Sequence, residues 1–357
     1  MFNGTHEVFI FSSFLIFIFI MLALDLGVFN KKSHALSFRE ALTWTIIWVG
    51  ISVLFYLLIR FFGHELHDLN DLAAIKAKIL KYHHPIKIDG LSVEQAIDIY
   101  NRNLSLEYLT GYLIEYSLSV DNIFVMIMIF MSFNVQSRYY HKVLFWGILG
   151  AIVMRFIFIF TASALIQKFE GVLYLFGGFL ILIGCKMGWE FFTKKDEDKI
   201  DPHHHPFVRF ISKHIPVATE EKGSKFWIRE HGKFFITPLL IVLMLIEFFD
   251  VVFAVDSVPA VFSVTRDPFI VFFSNIFAIL GLRSLFFLVN NVIDIFHYLK
   301  LGLAFLLTYV GAKMIVQLAF DIHISSRISL GIIIGILAVF MLLSIVFPLK
   351  KAGEKRA

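Results

Sequence analysis

Nine long apolar segments, separated by polar stretches, account for most of this chain of 357 residues. Each holds roughly 20 predominantly apolar residues, which is the length that an α-helix needs to cross the hydrocarbon core of a bilayer. The pattern therefore predicts an all-α, polytopic transmembrane protein with one transmembrane domain over residues 1–357. The expected spans are approximately 8–29, 41–62, 108–132, 143–165, 171–193, 236–263, 269–290, 296–320 and 327–347.

Two of the polar stretches are long, and both are mixed in charge, as in ordered surface loops. Residues 63–107 contain LSVEQAIDIYNRN, in which Ser92 is a candidate cap for a short amphipathic helix. Residues 194–235 contain KKDEDK and the tract PHHHP. Three adjacent histidines can bind a transition metal, but a solvated polar loop is the favoured interpretation of this tract.

Basic residues indicate the orientation in the membrane. The first apolar segment has no Lys or Arg before it and no small-residue cleavage site after it, which predicts an uncleaved helix rather than a signal peptide. With the N-terminus outside, the inner loops hold 19 Lys and Arg residues and the outer segments hold 8. The positive-inside rule therefore predicts an outside N-terminus and a cytoplasmic C-terminus.

Composition narrows the functional class. Hydrophobic residues make up 58% of the chain and the mean hydropathy is +0.79, so a soluble enzyme or a nucleic-acid-binding protein is not expected. The single cysteine, Cys185, excludes an intrachain disulfide and a zinc-type thiolate cluster. The sequence shows neither a Walker A motif nor a nucleophile–base pair. We therefore expect no ATP coupling, no enzymatic activity and no catalytic residue, with the lipid bilayer as the surroundings.

Two polar motifs lie inside apolar segments and resemble each other. They are EYSLSVDNIFV at 115–125 and DVVFAVDSVPA at 250–260, and in each an acid precedes the aspartate of [SA]-V-D-[NS] by six residues. The next span in each case contains an arginine, and the one after it contains G-x-K-M. These basic residues are Arg155 and Lys186 after the first motif, and Arg283 and Lys313 after the second.

The order of acid pair, arginine and G-x-K-M predicts an internal repeat of two three-helix blocks, spans 3–5 and spans 6–8. Because each block has an odd number of spans, the copies run in opposite directions, as in the inverted repeats of many secondary transporters. The expected division is into the first two helices (8–62), an external loop (63–107), repeat block one (108–193), a cytoplasmic loop (194–235), repeat block two (236–320) and a last helix (327–347).

Acidic and amide side chains at bilayer depth are the candidate functional groups, because polar groups there are costly and usually functional. Carboxylate and amide oxygens suit hard cations such as Mg²⁺, Ca²⁺ and Mn²⁺ better than zinc or copper. We expect Arg155 and Arg283 to pair with some of the acids, and Lys186 to do the same. Asp294 lies near a span end and is interpreted as interfacial. The predicted metal site comprises Asp25, Glu115, Asp121, Asn122, Glu247, Asp250 and Asp256.

The spacing of the acids leaves two geometries open. Two residues six apart point about 120° away from each other on an unbroken helix. Either the two acids of each motif face different neighbours, or the helix is interrupted between or just after them. Pro259 favours an interruption in the sixth span, because its ring nitrogen cannot donate to the carbonyl of Val255.

Four segments, ALDLG (23–27), EYSLSVDNIFV, EFFDVVFAVDSVPAV and GLRSLFF, resemble the TerC family of bacterial integral membrane proteins over essentially the whole chain. The resemblance implies a bacterial inner-membrane protein of seven to nine helices, associated with tellurite resistance and with manganese export. Distant relatives belong to the lysine-exporter superfamily, and chloroplast members are linked to membrane-protein insertion. The family's acidic positions correspond here to Asp25, Glu115, Asp121, Asp250 and Asp256.

Two functions from different classes follow as hypotheses. The first is a secondary transporter that exports divalent cations through the buried carboxylates in exchange for protons, with Mn²⁺ as a substrate rather than a cofactor. The choice of Mn²⁺ over Ca²⁺ or Mg²⁺ rests on the resemblance alone, since all three accept oxygen ligands. The alternative is a membrane scaffold or assembly factor that binds other membrane proteins and acts in tellurite resistance or membrane-protein biogenesis.

Overall fold

The chain folds into a bundle of α-helices with one β-hairpin. The computed structural model describes residues 5–29, 37–133, 135–169, 171–193, 213, 216–217, 225–230, 233–292, 298–320, 322, 324 and 326–347. The helices are α1 (Thr5–Phe29), α2 (Phe38–Phe62), α3 (Leu72–Tyr82), α4 (Val93–Ser132), α5 (Ser137–Lys168), α6 (Gly171–Thr193), α7 (Pro238–Phe262), α8 (Pro268–Leu280), α9 (Leu282–Val292), α10 (Leu299–Phe320) and α11 (Ser326–Val346). A 3₁₀ helix covers Gly63–His67, and the hairpin strands are β1 (Trp227–Glu230) and β2 (Lys233–Ile236).

Six single helices in the described part of the chain are long and apolar enough to span a membrane: α2, α5, α6, α7, α10 and α11. Helices α8 and α9 meet these criteria together as one span with a bend of 43°. The all-α polytopic class is therefore confirmed. The other two predicted spans lie on helices α1 and α4, which contain positions outside the described part of the chain and are not among the helices that meet the criteria within it. The total of nine spans therefore stays a prediction, as does the inverted repeat.

The predicted third span, 108–132, is the second part of a much longer helix. Helix α4 has 40 residues and joins the predicted amphipathic segment to the span without a break. Its length of about 60 Å is twice the thickness of a hydrocarbon core. The predicted cap is present, because Ser92 Oγ accepts from the backbone N–H of Gln95 at 3.3 Å, and Gln95 Oε1 accepts from the N–H of Ser92 at 3.1 Å.

The predicted interruption at Pro259 is wrong, since α7 continues through this residue to Phe262. Pro259 lies in the last turn of the helix, where losing one intrahelical hydrogen bond costs little because the helix is about to end. The break in the second block occurs instead at Gly281, between α8 and α9. A bend at this glycine turns the second half of the seventh predicted span relative to the first.

Helix α8 forms the centre of the bundle, and all 13 of its residues are buried. Asp267 caps its N-terminus by accepting from the N–H of Phe269 at 2.9 Å, and Pro268 occupies the first helical position, where it needs no donor. Phe11 and Phe14 of α1 pack on Phe272 and Phe273 with ring centroids 4.3–6.4 Å apart. Aromatic packing therefore fixes α8 against α1.

Helices α6 and α10 approach until their backbones touch. A Cβ atom built on Gly311 would lie 2.6 Å from the carbonyl oxygen of Gly177, and one built on Gly184 would lie 2.7 Å from that of Ala304. Inside a bilayer, helices associate mainly through such close van der Waals contact, because lipid chains are as apolar as the side chains. The glycines are therefore required for the α6–α10 contact.

We expect Gly184→Ala to destabilise the protein by about 1–3 kcal/mol, the usual cost of forcing an extra methyl group into a packed site. The nearest atom would be the Thr308 hydroxyl oxygen at 2.3 Å, and the next two, the Ala304 carbonyl oxygen and the Thr308 backbone nitrogen, belong to the α10 backbone and cannot rotate away. The thermal unfolding of purified protein in detergent measures the effect. Gly178→Ala is the matched control on the same helix, because a Cβ there meets nothing within 4 Å. Equal unfolding temperatures for the two variants would contradict the packing argument.

The predicted loop 194–235 contains secondary structure near its end, where β1 and β2 pair antiparallel with Arg229 opposite Phe234. Only Thr237 separates β2 from α7. The KKDEDK and PHHHP segments lie outside the described residues, so the structure does not bear on their predicted character.

Candidate functional site

A buried arginine joins three helices near the middle of the bundle. Arg155 of α5 is 1% exposed, and its Nη1 donates to a carboxylate oxygen of Glu115 on α4 and to the side-chain oxygen of Asn275 on α8. The same nitrogen donates to Ser257 Oγ on α7 at 3.1 Å, and Nη2 lies 3.5 Å from Oδ1 of Asp250. These five residues are called the charge centre below.

Helical spacing explains why these side chains meet. Asp250 and Ser257 are seven residues apart on α7, which is close to two full turns, so both point to the same side. Glu115 lies on α4, which packs against both α7 and α8, and Asn275 lies on the fully buried α8. The charge centre is therefore formed where the first and second predicted repeat blocks meet.

The charges of the centre do not balance in pairs. Two carboxylates, those of Glu115 and Asp250, face one guanidinium, and the two acidic residues are 0% and 6% exposed. One oxygen of each carboxylate, Glu115 Oε2 and Asp250 Oδ2, has no hydrogen-bond partner among the described residues. Buried carboxylate oxygens without a donor are costly, so each of these two atoms can accept a proton or another positively charged partner.

A third acid lies one helical turn away from Asp250. Glu247 is partly buried on α7, and its carboxylate rests directly on Gly150 of α5, because a Cβ on that glycine would lie 2.0–2.4 Å from the three carboxylate atoms. Glu247 and Asp250 are three residues apart on α7, so they lie on the same side of the helix. The glycine thus provides the space that lets Glu247 turn toward α5.

A small cavity adjoins the charge centre. Its volume of about 10 Å³ is near the minimum that one water molecule occupies. It is lined by Met126, Leu144, Gly147, Ile148, Ala151, Asp250, Ile279 and Leu282. Apart from Asp250 its walls are apolar, so the cavity places a small space directly against this carboxylate.

The structure brings together some of the predicted ligands, and others have side chains outside its described part. Glu115 and Asp250 meet at Arg155, as the predicted pairing of this arginine with acids requires. Asn122 is 3% exposed on the same face of α4 as Glu115, about 10 Å further along the axis. Asp25, Asp121 and Asp256 lie on α1, α4 and α7, but their side chains are outside the described part of the structure.

The remaining sequence candidates are not part of the charge centre. Arg283 is 2% exposed, and Lys313 is 6% exposed and donates to the carbonyl of Ser263 at 3.3 Å. Lys186 is exposed, and Asp294 lies outside the described residues. Among the described His, Cys, Asp and Glu side chains, no three converge as a preassembled metal cluster.

Two residues of the charge centre, Ser257 and Asn275, were neither among the predicted ligands nor among their predicted partners. Ser257 is the serine of the second motif and corresponds to Asn122 in the first. Aligning the two motifs could therefore have identified Ser257 as a candidate. Asn275 is an amide within the apolar segment PFIVFFSNIFAIL, where a single buried amide indicates a specific partner. Both are short side chains whose neutral oxygens accept hydrogen bonds from the guanidinium and so orient it.

A second buried polar network lies outside the spans and ties residues 63–92 to the bundle. His67 Nε2 contacts Asp267 Oδ2 at 2.7 Å, and His84 Nδ1 contacts Glu107 Oε1 at 2.9 Å. Burial alone lowers the pKa of His84, but the charge and hydrogen bond of Glu107 outweigh it and raise that pKa. Burial likewise raises the pKa of Asp267, but His67 outweighs it and holds that pKa below its usual value. No sequence pattern pointed to these pairs.

Comparison with known proteins identifies the family. A sequence model described as "Integral membrane protein TerC family" matches residues 100–352. A protein of Photorhabdus laumondii named "Putative membrane-bound redox modulator Alx" is 39% identical over 99% of this chain and 100% of its own length. The protein of that name from Escherichia coli strain K12 is 39% identical over 93% of this chain and 92% of its own.

A third relative, "Uncharacterized membrane protein STKORF319" of Myxococcus xanthus, is 39% identical over 94% of this chain and 91% of its own length. No solved structure matches the chain. The family match includes every residue of the charge centre. It begins at residue 100, so it does not include Asp25. This chain is a multi-pass integral membrane protein and belongs to the TerC family.

Proposed function

We propose that this protein is a secondary transporter that exports divalent metal cations, with Mn²⁺ as the principal substrate, in exchange for protons. The observation that supports it is the pair of buried carboxylate oxygens, Glu115 Oε2 and Asp250 Oδ2, left without hydrogen-bond partners at the charge centre. One comes from each predicted repeat block, which is where inverted-repeat transporters place their substrate. The choice of Mn²⁺ follows the family resemblance.

The proposed cycle uses Arg155 as a resident counter-charge. Without metal, the guanidinium holds Glu115 and Asp250, and protons neutralise the remaining negative charge. A divalent cation entering from the cytoplasm binds the two free oxygens, with Glu247 as a third carboxylate nearby, and displaces the protons. Protonation from the opposite side releases the cation, because a neutral carboxyl is a poor ligand for a hard ion.

The remaining parts of the proposal follow the sequence expectations. Asp25, Asp121, Asn122 and Asp256 complete the metal site, the protein resides in the bacterial inner membrane, and its N-terminus faces outside. The relatives' name raises redox modulation as another activity. With Cys185 as the single cysteine, this chain has no pair of thiols with which to exchange electrons through an intrachain disulfide.

The test measures total cell manganese under Mn²⁺ stress in an exporter-deficient strain, at matched membrane expression. We expect the parent to lower cell manganese, and Glu115→Gln, Asp250→Asn and the pair Asp121→Asn/Asp256→Asn to reduce the export rate by about tenfold or more. Charge-assisted contacts contribute about 1.5–3 kcal/mol each, and about 1.4 kcal/mol corresponds to tenfold.

Asp98→Asn is the matched control, because this acid lies on α4 like Glu115 but its side chain is 59% exposed and pairs with Arg60 at the surface. Its export rate should equal that of the parent. If the parent leaves manganese unchanged, the same cells loaded with Ca²⁺ test the broader claim of divalent export. If neither ion responds, the transporter proposal is wrong, and the scaffold alternative should be pursued.

A further inference from the structure

The β-hairpin before α7 has one face packed on the protein and one face that the described residues leave exposed. Phe226 and Ile228 are 7% and 8% exposed, whereas the alternate residue Trp227 is 62% exposed. The ammonium of Lys142 on α5 lies 4.4 Å from the centroid of the Phe226 ring. The inward face packs into a hydrophobic cluster in which Phe226 is joined by Tyr139, Val143 and Leu239.

The outward face combines two large aromatic rings with a guanidinium. Cross-strand pairing places Phe234 opposite Arg229, and two residues of one strand that are two apart share a face, so Trp227 lies on the same side. Phe234 is 63% exposed, and the guanidinium of Arg229 lies 5.3 Å from the centroid of its ring. An exposed aromatic patch of this kind marks an interaction surface.

The position of the hairpin along the chain limits what can cover this face. Thr237, the one residue between β2 and α7, donates through Oγ1 to the carbonyl of Lys225 at 2.8 Å, and its N–H donates to that of Phe226 at 3.0 Å. Pro238 then begins a helix with the length and composition of a membrane span. The hairpin is therefore fixed to the first turn of a span and lies at the membrane surface.

The charges around this face suit an anionic surface. Lys225 and Arg229 are exposed on the hairpin, and the nearby Arg138, the second residue of α5, is exposed as well. By sequence, the hairpin 225–236 contains three basic residues, Lys225, Arg229 and Lys233, and one acid, Glu230. Tryptophan rings favour the interface between headgroups and acyl chains, and each basic residue near an anionic membrane contributes about 1 kcal/mol of attraction.

We propose that the hairpin 225–236 is an interfacial lipid-binding element. Trp227 and Phe234 insert at the boundary between headgroups and acyl chains, and Lys225 and Arg229 bind the phosphates of anionic lipids in the leaflet where α5 and α7 begin. Because Thr237 ties the hairpin to α7, the lipid contact fixes the end of the helix that carries Glu247 and Asp250. Neither the location of this element nor its ligand depends on which ion the protein transports.

The test compares the parent with Trp227→Phe in vesicles whose lipids carry bromine on the acyl chains, either near the headgroup or near the chain end. The difference in fluorescence between the two proteins reports Trp227 alone, and the substitution keeps an aromatic ring at an exposed position. We expect quenching of this difference signal by bromine near the headgroup, weaker quenching by bromine near the chain end, and no quenching by aqueous iodide.

Two other results would overturn the proposal. Quenching by iodide would place Trp227 in water, and protection from both quenchers would place another protein surface, such as a second copy of the chain, over the hairpin. The headgroup part is tested with Arg229→Gln in phosphatidylcholine vesicles with and without phosphatidylglycerol. Adding phosphatidylglycerol should increase the bromine quenching of both proteins. We expect the increase in the parent to be at least twice the increase in the variant. Equal increases would refute recognition of anionic headgroups.

Discussion

Arg155→Gln should destabilise the protein by about 3–5 kcal/mol, the usual cost of removing one partner from a buried ion pair. The substitution leaves Glu115 and Asp250 facing each other in the interior without the cation that both contact. Asn275 and Ser257 also lose the donor that they accept from. We expect a low yield in the membrane, and a loss of stability that shrinks as the pH falls, because a protonated carboxyl needs no counter-charge.

A rescue experiment separates the electrostatic cause from simple loss of packing. The triple variant Arg155→Gln/Glu115→Gln/Asp250→Asn contains no charge at this point, so it should recover most of the stability that Arg155→Gln lost. It should remain inactive in transport, since the proposed ligands are gone. Thermal unfolding in detergent and manganese export are the two measurements.

The matched control for the first prediction is Arg60→Gln, whose guanidinium pairs with Asp98 at 2.8 Å at the surface with side chains 28% and 59% exposed. Exposed pairs contribute about 0–1 kcal/mol, so this variant should unfold close to the parent. If Arg155→Gln also unfolds close to the parent, the charge centre does not hold the helices together. If the triple variant is no more stable than the single one, uncompensated charge is not the reason for the loss.

Gly150→Ala should reduce metal export by about tenfold without lowering stability. The new Cβ would fall 2.0 Å from Oε1 of Glu247, but a carboxylate is the far end of a flexible side chain and can turn away. Alanine also favours the helix over glycine by about 1 kcal/mol, which offsets the displacement. The variant therefore moves a proposed ligand without removing any charge, and ligand misplacement of about 1 Å can cost two orders of magnitude in rate.

Gly147→Ala is the control for this second prediction, one helical turn earlier on the same helix. Its Cβ would meet Ile246 Cγ2 at 3.4 Å, which is ordinary contact, so both stability and transport should be retained. Mn²⁺ transport into proteoliposomes and thermal unfolding give the two readings. Full activity of Gly150→Ala beside an inactive Glu247→Gln would mean that the acid acts from more than one position. Full activity of both would remove Glu247 from the proposed site.

The pattern of apolar residues was enough to predict the helices. In lipid, a segment of roughly 20 apolar residues satisfies its backbone hydrogen bonds by forming an α-helix. The ends of those helices were less predictable. Residues 93–107 are polar and read as a loop with a short helix, yet the backbone continues as one helix into the apolar part of α4. Hydropathy locates the membrane boundary and contains no information about whether a helix stops there.

Some contacts of the candidate site could be predicted from the sequence, and others could not. That Arg155 pairs with some of the buried acids followed from the sequence and from the cost of unpaired buried charge. The structure identifies Glu115 and Asp250 as those acids. The contact of Arg155 with Asn275 joins residues 120 apart in sequence, and that of His67 with Asp267 joins residues 200 apart. No periodicity connects such positions, so only the packing of the helices brings them together.

The glycine contact between α6 and α10 has a consequence for how the two halves can move. At Gly177 and Gly311 the carbonyl of one helix occupies the space where a side chain of the other would stand, so the two backbones touch and cannot slide past each other there without a clash. In the proposed transport cycle, we therefore expect this pair to act as a fixed pivot. Relative motion of the two halves must be taken up across the bundle, where Arg155 of α5, Glu115 of α4 and Asp250 of α7 meet through long side chains that can extend or retract. In that proposed cycle, we expect a rotation about the pivot to displace the residues of the charge centre relative to one another.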